Sequence, residues 1–245
     1  MGSRLRRVRG LLVGLALAAF TACNGGAPAY AAQYVPPAAL ELLPVLVEQQ
    51  RAIWPDAPLP SFLAGQIEQE SCISLRHSKC WNPRAELKTS RENGIGLGQF
   101  TRAYRADGSI RFDTIKNLAN TYDSLREWSW ETRYDPRYQI TALVEMDKGI
   151  YGRQRNTAND LERLKFTLSA YNGGEAGLLQ DRLLCRNTTG CDPARWTGNV
   201  ALYSLKSKRP QAGYGQSFFS INREYVANVL ELRRYKYVSY FEDSP

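Results

Sequence analysis

The chain has 245 residues, of which 43% are hydrophobic and 23% are charged, and its formal net charge is +8. This composition is typical of a globular protein with one sizeable domain and argues against a disordered chain. No nucleic-acid-binding motif accompanies the basic excess, so we expect no nucleic-acid partner.

The first 31 residues have the pattern of a secretory signal peptide. Four arginines within the first nine residues are followed by an apolar run over residues 11–20 and by an Ala-x-Ala site that ends at Ala31. The apolar run is too short to span a membrane. We therefore expect an exported, periplasmic protein whose mature chain begins at Ala32, with 28 basic and 24 acidic residues.

Cys23 offers a second processing site. Residues 20–23, Phe-Thr-Ala-Cys, form a loose lipobox in which Phe stands where Leu is usual. Lipid attachment at Cys23 would make the protein an outer-membrane lipoprotein tethered to a membrane. Both processing routes remain open at this stage.

Helix signals follow one another along the remaining chain. An amphipathic pattern interrupted by Pro44 predicts a first helix, and Ser61 is a candidate N-cap for a second helix that ends at Ser71. Asn159 is a candidate N-cap for the predicted helix that begins at residue 160. The predicted helices cover residues 38–54, 62–71, 113–130, 136–155, 160–171, 175–185 and 221–237.

Strand signals are thin and are confined to residues 94–100 and 214–220. We therefore expect a mainly α protein. Residues 32–60 are predicted to form a leader and first helix that pack on one helical domain, residues 61–237, and residues 238–245 are predicted to be a tail.

Glu70 lies on the apolar stripe of the second predicted helix. It recurs with Leu63 and Ile67 at i, i+4 and i+7, whereas Glu68 falls on the other side and is expected to be a solvated acid. A carboxyl group among hydrophobic side chains has a raised pKa and keeps a proton near neutral pH. Glu70 is therefore a candidate general acid, and the alternative is a buried structural Glu paired with an arginine.

Four short motifs appear in order along the chain. They are Glu70-Ser71, Asn82-Pro-Arg-Ala85, Gly96-Leu-Gly-Gln99 and Ala170-Tyr-Asn-Gly-Gly174. Their order resembles the catalytic domain of the soluble lytic transglycosylase (SLT) family within the lysozyme-like superfamily, and the resemblance covers residues 61–235. It implies a lysozyme-like helical domain with a small irregular or β element near the cleft.

The resemblance also implies an enzyme that acts on peptidoglycan glycan strands without a cofactor. In the family, one Glu protonates the glycosidic oxygen between N-acetylmuramic acid and N-acetylglucosamine, while the muramyl N-acetyl group assists at the anomeric carbon. The same Glu then takes the proton of the C6 hydroxyl, and a 1,6-anhydro ring closes. Glu70 matches that residue.

Further substrate-contacting residues are implied by the same motifs. Ser90 has the family's spacing before Gln99, although the adjacent Thr89 can substitute. Gln99 is expected to form hydrogen bonds in the cleft. Tyr171 and Asn172 are expected to hold the sugar and the Glu70 side chain in position. The structural alternatives are that Gln99 holds its own turn, that Tyr171 is a core aromatic and that Asn172 caps a helix.

The chain departs from the family pattern at three places. Gly98 stands where Met is common, which would open the floor of the cleft. Ile221 replaces the Glu of the family's Glu-Thr-x-x-Tyr-Val segment, while its Tyr is kept at Tyr225, which we expect in the cleft. The motifs leave residues 195–219 unexplained, and aromatic residues there could stack on sugars or pack in the core.

The cysteines that follow the signal favour two local disulfides. Four cysteines can be connected in three ways. The connectivity that joins Cys72 to Cys80 and Cys185 to Cys191 needs the least chain rearrangement. The spacings of eight and six do not fit the usual Cys pairs of a zinc site, and His77 is the one histidine, so we expect no metal. His77 is predicted to be exposed in the first loop.

Two other functions remain open. A hydrolytic lysozyme or endolysin on the same fold would need a second carboxylate, for which Glu86, Glu92 and Asp107 are the nearest candidates in sequence. A non-catalytic wall-binding component of a secretion or conjugation machine would keep the fold without the chemistry.

Overall fold

A computed structural model describes residues 34–210 and 215–241. The predicted signal peptide, including Cys23, lies outside these residues, as does the end of the predicted tail. Within the described part, no helix is both long enough and apolar enough to cross a membrane.

The described chain is mainly helical, as the sequence predicts. Its α-helices are α1 (Pro37–Ile53), α2 (Phe62–Ser71), α3 (Thr114–Thr121), α4 (Pro136–Arg153), α5 (Asp160–Gly173), α6 (Glu175–Arg186) and α7 (Phe218–Ala227). A π-helical turn, Asn228–Arg233, and a 3-10 helix, Arg234–Tyr240, follow α7, and we name these two elements the C-terminal turns.

One predicted helix is shorter than its pattern suggests. The helix expected over residues 113–130 is α3, which ends at Thr121 because Tyr122 is extended. Asp113 lies outside the helix and caps it by accepting a hydrogen bond from the Lys116 amide. Leu125 and Trp128 are nevertheless buried, since the irregular chain that follows folds back onto the core.

The last helix begins earlier than predicted. Ser217 caps α7 by accepting from the Ser220 amide, so the described part of the strand predicted over residues 214–220 is turn and helix instead. Ser61 precedes α2 as predicted, but its side chain makes no capping hydrogen bond.

A four-stranded antiparallel sheet supplies the small β element expected near the cleft. Its strands are β1 (Glu86–Lys88), β2 (Glu92–Ile95), β3 (Phe100–Tyr104) and β4 (Ile110–Asp113), in that order. Leu87, Gly94 and Thr101 are partners in register across the first three strands. They therefore lie in one row across the sheet.

Helix α2 is buried on nearly every side. Phe62, Leu63 and Ile67 are fully buried, and a Cβ atom at Gly65 would lie 2.9 Å from the backbone nitrogen of Arg234. The C-terminal turns therefore approach α2 more closely than a side chain would allow. This packing fixes the helix that carries Glu70.

Glu68 corrects the expectation of a solvated acid. Its side chain is fully buried, accepts a hydrogen bond from the Tyr237 hydroxyl at 2.6 Å, and forms ion pairs of 2.8 Å with Arg233 and Lys236. The C-terminal turns cover the side of α2 that the helical wheel assigns to solvent. The acid is paired there because an uncompensated buried charge would be strongly destabilising.

Both local disulfides are present in the structure, between Cys72 and Cys80 and between Cys185 and Cys191. The first bond starts at the residue that follows α2. His77 lies in that loop and is half-buried rather than exposed, and its Nδ1 accepts a hydrogen bond from the Lys79 amide.

Of the segment that the motifs leave unexplained, the structure describes residues 195–210 and 215–219, and Lys206 anchors the first of these stretches to α6 by charge. Asp181 is 1% exposed and forms ion pairs with Lys206 of this segment at 3.0 Å and with Arg223 of α7 at 2.9 Å. Trp196 is buried edge-on against Phe166, so this aromatic residue packs in the core.

Candidate active site

An open cleft of about 290 Å³ lies between the end of α2 and the sheet. Its lining residues come from the last turn of α2, the loop closed by Cys72 and Cys80, and the row across the sheet. They include Gln69, Glu70, Ser71, Ile73, Lys79, Glu86, Leu87, Glu92, Gly94, Gln99 and Thr101. The candidate acid therefore faces a concave surface of ligand-binding size.

Glu70 is half-buried at the cleft end of α2. Its Oε1 accepts a hydrogen bond of 2.6 Å from the Tyr225 hydroxyl. Burial raises the pKa of Glu70 to about 7, and the bond from Tyr225 offsets part of that rise because it stabilises the ionised form. Near neutral pH the carboxyl group can therefore both give and take a proton.

Two tyrosines support this carboxyl group. Tyr225 is 3% exposed, and its ring stacks on that of Tyr171 with 6.4 Å between centroids. The Tyr171 hydroxyl donates to the carbonyl of Gly98 at 2.7 Å. Burial and the nearby acid Glu70 raise the pKa of both tyrosines well above their ordinary value, so both hydroxyls keep their protons and donate.

Gln99 follows the 3-10 turn Gly96–Gly98 in a left-handed conformation, with a φ of 48°. Its Nε2 donates to the carbonyl of Gly96 at 2.9 Å, so it holds its own turn. Its Oε1 is buried and has no partner among the described residues. A Cβ atom at Gly94 would lie 2.7 Å from this oxygen, which explains the glycine there.

Gly98 does not open the floor of the cleft, contrary to the sequence-based expectation. A Cβ atom at this position would lie 2.6 Å from the Phe100 ring and 2.8 Å from the Tyr171 hydroxyl oxygen. The volume that a larger side chain would occupy is therefore already filled, and the absence of a side chain at Gly98 lets Tyr171 reach the turn.

Of the predicted site residues, Glu70 and Gln99 line the cleft, whereas Ser90, Tyr171, Asn172 and Tyr225 do not. Ser90 is exposed at the tip of the β1–β2 hairpin, where the neighbouring Thr89 hydroxyl accepts from the Glu92 amide and holds the turn. Asn172 is exposed near the end of α5, and its Oδ1 accepts from Asn222 at 3.0 Å.

Two of the three candidates for a second carboxylate line the cleft. The Glu86 carboxylate accepts a hydrogen bond from the Tyr134 hydroxyl. Glu92 lies two residues before Gly94 in β2, so both residues are on the face of the sheet that lines the cleft. Asp107 is exposed in the turn between β3 and β4 and is not in the lining. Within the described residues, no group of three His, Cys, Asp or Glu side chains is placed to hold a metal.

Asp147 of α4 is a buried acid that the motifs do not reveal. It is fully buried, and Gln66 of α2 approaches its Oδ1 at 3.5 Å. Burial is the main reason that its pKa is raised well above the ordinary value, and Glu70 adds to the rise. The sequence carries a usable signal, since Asp147 follows Ile140 and Val144 on one apolar stripe, as Glu70 follows Leu63 and Ile67.

Comparison with known proteins gives one partial similarity. No protein-family model matches the chain. A stretch of 106 residues, 42% of the chain, is 32% identical to the membrane-bound lytic murein transglycosylase F of Vibrio campbellii. The chain spans 19% of the length of that relative. The similarity supports a lytic transglycosylase-like relationship.

Proposed function

We propose that the protein is an exported peptidoglycan lytic transglycosylase in which Glu70 is both acid and base. The proposal is carried by one observation, a half-buried carboxyl group with a pKa of about 7 that faces a cleft and accepts a hydrogen bond from Tyr225. The partial similarity to a protein named as a lytic murein transglycosylase supports the same substrate class.

In the first step, protonated Glu70 gives its proton to the glycosidic oxygen between N-acetylmuramic acid and N-acetylglucosamine. The bond from this oxygen to the anomeric carbon breaks, and the carbonyl oxygen of the muramyl 2-acetamido group bonds to that carbon. Tyr225 stabilises the carboxylate that forms on Glu70.

In the second step, ionised Glu70 takes the proton of the muramyl C6 hydroxyl. The C6 oxygen then bonds to the anomeric carbon and displaces the acetamido oxygen, which closes the 1,6-anhydro ring and returns Glu70 to its protonated state. Gln99 lines the cleft beside Glu70 and holds the turn that the Tyr171 hydroxyl also contacts. We assign Ser90 and Asn172 no contact with the cleaved bond, because they lie outside the cleft lining.

The test is product analysis of purified cell walls by mass spectrometry. We expect 1,6-anhydromuramyl ends with the unaltered protein, and no cleavage but intact folding and wall binding with Glu70→Gln. Glu92→Gln is the matched control, because Glu92 lines the same cleft and has no role in the lytic route.

Reducing-end sugars, together with loss of cleavage in Glu92→Gln, would instead establish the hydrolytic alternative, in which Glu92 activates water. Binding without cleavage by the unaltered protein would establish a non-catalytic wall-binding component. We propose further that residues 1–31 direct export, with either cleavage after Ala31 or lipid attachment at Cys23. The mass of the mature N-terminal peptide distinguishes these two processing routes.

A further inference from the structure

Asp147 and Gln66 form an incompletely satisfied pair beneath the cleft. Both side chains are fully buried, and the Gln66 Nε2 to Asp147 Oδ1 distance of 3.5 Å is the contact between them. The other two oxygens, Gln66 Oε1 and Asp147 Oδ2, have no partner among the described residues. Both oxygens are acceptors when Asp147 is ionised, so they cannot satisfy each other.

A proton on Asp147 removes this conflict. A carboxylic acid and a primary amide can pair reciprocally, because the amide N–H donates to one carboxyl oxygen while the carboxyl O–H donates to the amide oxygen. Buried polar groups in proteins nearly always have such partners. A proton on Asp147 would therefore give each of the two unpaired oxygens a hydrogen-bonding role.

Among residues 34–210 and 215–241, no positive charge is paired with Asp147 to balance an ionised form. No Lys or Arg in the described part of the chain forms an ion pair with it. The titratable groups that interact with it from neighbouring elements are Glu70 of α2, Tyr171 of α5 and Tyr225 of α7. An unpaired buried carboxylate would be strongly unfavourable in this setting.

One member of the pair lies on the helix face that carries the candidate acid. Gln66 precedes Glu70 by four residues, so the two side chains lie on the same face of α2, one turn apart. A hydrogen-bonded pair between Gln66 and Asp147 therefore fixes that face of α2 against α4. A charge on Asp147 would oppose the negative charge that Glu70 carries between its two proton transfers.

We infer that Asp147 is a positioning residue that stays protonated throughout the reaction and, paired reciprocally with Gln66, holds Glu70 in place without adding charge beside it. The inference rests on the proposed role of Glu70.

Two substitutions separate the hydrogen bond from the charge. Asp147→Asn keeps an uncharged donor and acceptor, so we expect kcat within about twofold of the unaltered protein and an unchanged pH–rate profile. Asp147→Leu leaves Gln66 unpaired, so we expect kcat to fall about tenfold while KM stays within about twofold, because Glu70 moves relative to the bound sugar.

Either of two results would overturn the inference. If Asp147 is ionised, Asp147→Asn removes a negative charge near Glu70, and the alkaline limb of the pH–rate profile moves to lower pH by about one unit or more. If Asp147→Leu retains full kcat, the residue has no positioning role.

Infrared difference spectra of the unaltered protein minus Asp147→Asn test the proton directly. We expect the C=O band of a protonated carboxyl group to persist from about pH 5 to about pH 9. A carboxylate band at neutral pH would overturn the inference. This measurement needs no enzymatic turnover, so it remains decisive if Asp147→Leu does not fold or if the proposed function of Glu70 fails.

Thr141→Val is the matched control on the same helix. The Thr141 hydroxyl donates to Gln49 of α1 at 2.9 Å, and both residues are buried. This substitution also breaks a buried hydrogen bond of α4, but one that is made to α1 rather than to Gln66. We expect a lower melting temperature with an unchanged kcat. A loss of kcat equal to that of Asp147→Leu would show a general loosening of α4 and overturn the specific role of Asp147.

Discussion

Tyr225 forms the hydrogen bond that stabilises the ionised form of Glu70. In Tyr225→Phe that bond is lost, so we expect the pKa of Glu70 to rise above 7 and the alkaline limb of the kcat/KM profile to move to higher pH. The rate should also fall, because the carboxylate formed in the first step loses a donor. The measurement is the pH–rate profile between about pH 5 and about pH 9.

Tyr171→Phe is the control for this experiment. Its hydroxyl donates to the carbonyl of Gly98 rather than to Glu70. We expect lower turnover with the alkaline limb in its original place. Equal displacement of the limb in both variants would contradict the assigned role of Tyr225.

The raised pKa of Glu70 also makes the stability of the fold depend on pH. Its value of about 7 in the folded state exceeds the ordinary value of 4.5, so the folded state binds the proton more tightly than the unfolded state. The resulting stabilisation is complete below about pH 4.5 and is lost as the pH rises through 7, at a cost of about 3 kcal/mol.

Glu70→Gln removes this contribution. We expect its melting temperature to exceed that of the unaltered protein above pH 7 and the difference to shrink toward pH 4.5. Asp147 adds a dependence of the same sign in both proteins, because its pKa is also raised. Parallel melting curves across this range would contradict the raised pKa of Glu70.

At the scale of single residues, helical periodicity predicts the partial burial of Glu70 correctly and the exposure of Glu68 wrongly. A helical wheel separates the two acids by face, but it cannot tell that the C-terminal turns cover the second face. The same periodicity marks Asp147 on the apolar stripe of α4. Periodicity therefore predicts which residues share a face, whereas the number of buried faces depends on packing with distant parts of the chain.

Among the elements, the loop closed by Cys72 and Cys80 joins the end of α2 to the cleft wall, where it places Ile73 and Lys79. Replacing both cysteines with serine should loosen the end of α2, and we expect kcat to fall about tenfold or more before the fold is lost. Turnover and thermal unfolding, measured on the same preparation, test this expectation.

Replacing Cys185 and Cys191 with serine is the control. That disulfide begins near the end of α6, and neither cysteine lines the cleft. We expect a loss of stability of roughly 2 kcal/mol on the chain-entropy model, with turnover preserved. A larger loss of kcat from this pair than from Cys72 and Cys80 would contradict the role of the first loop.

Long periodic helices are predictable from local sequence, with errors at their ends, whereas the short strands β1 and β4 are not. Helix α5 begins where Asn159 predicts, since its side chain accepts from the Glu162 amide at 2.9 Å. Strands β1 and β4 have no recognisable pattern, because they are three and four residues long and mostly solvent-exposed. Their pairing depends on the register of neighbouring strands, which a local pattern does not contain.

At the scale of the whole molecule, Glu68 ties the C-terminal turns to α2. Glu68→Gln would leave Arg233 and Lys236 without their counter-charge, so we expect the free energy of unfolding to fall by about 3 kcal/mol. Turnover should fall as well, because the C-terminal turns follow directly on α7, which carries Tyr225. Urea denaturation and kcat are the measurements.

Glu48→Gln is the control, since Glu48 forms an exposed ion pair with Arg137 at 2.6 Å. Exposed pairs contribute little, so we expect a nearly unchanged free energy of unfolding. Equal destabilisation by the two substitutions would contradict the special role of the buried cluster around Glu68.

The hydrogen bond between Glu70 and Tyr225 joins residues 155 positions apart, and the one between Glu68 and Tyr237 joins residues 169 positions apart. During synthesis, α2 therefore leaves the ribosome long before the residues that complete its surroundings. A nascent chain interrupted before residue 225 has the proposed catalytic acid but neither its hydrogen-bond donor nor the turns that hold its helix. The proposed activity thus depends on residues that are synthesised 155 positions after the acid, and we expect a chain that stops before residue 225 to be inactive.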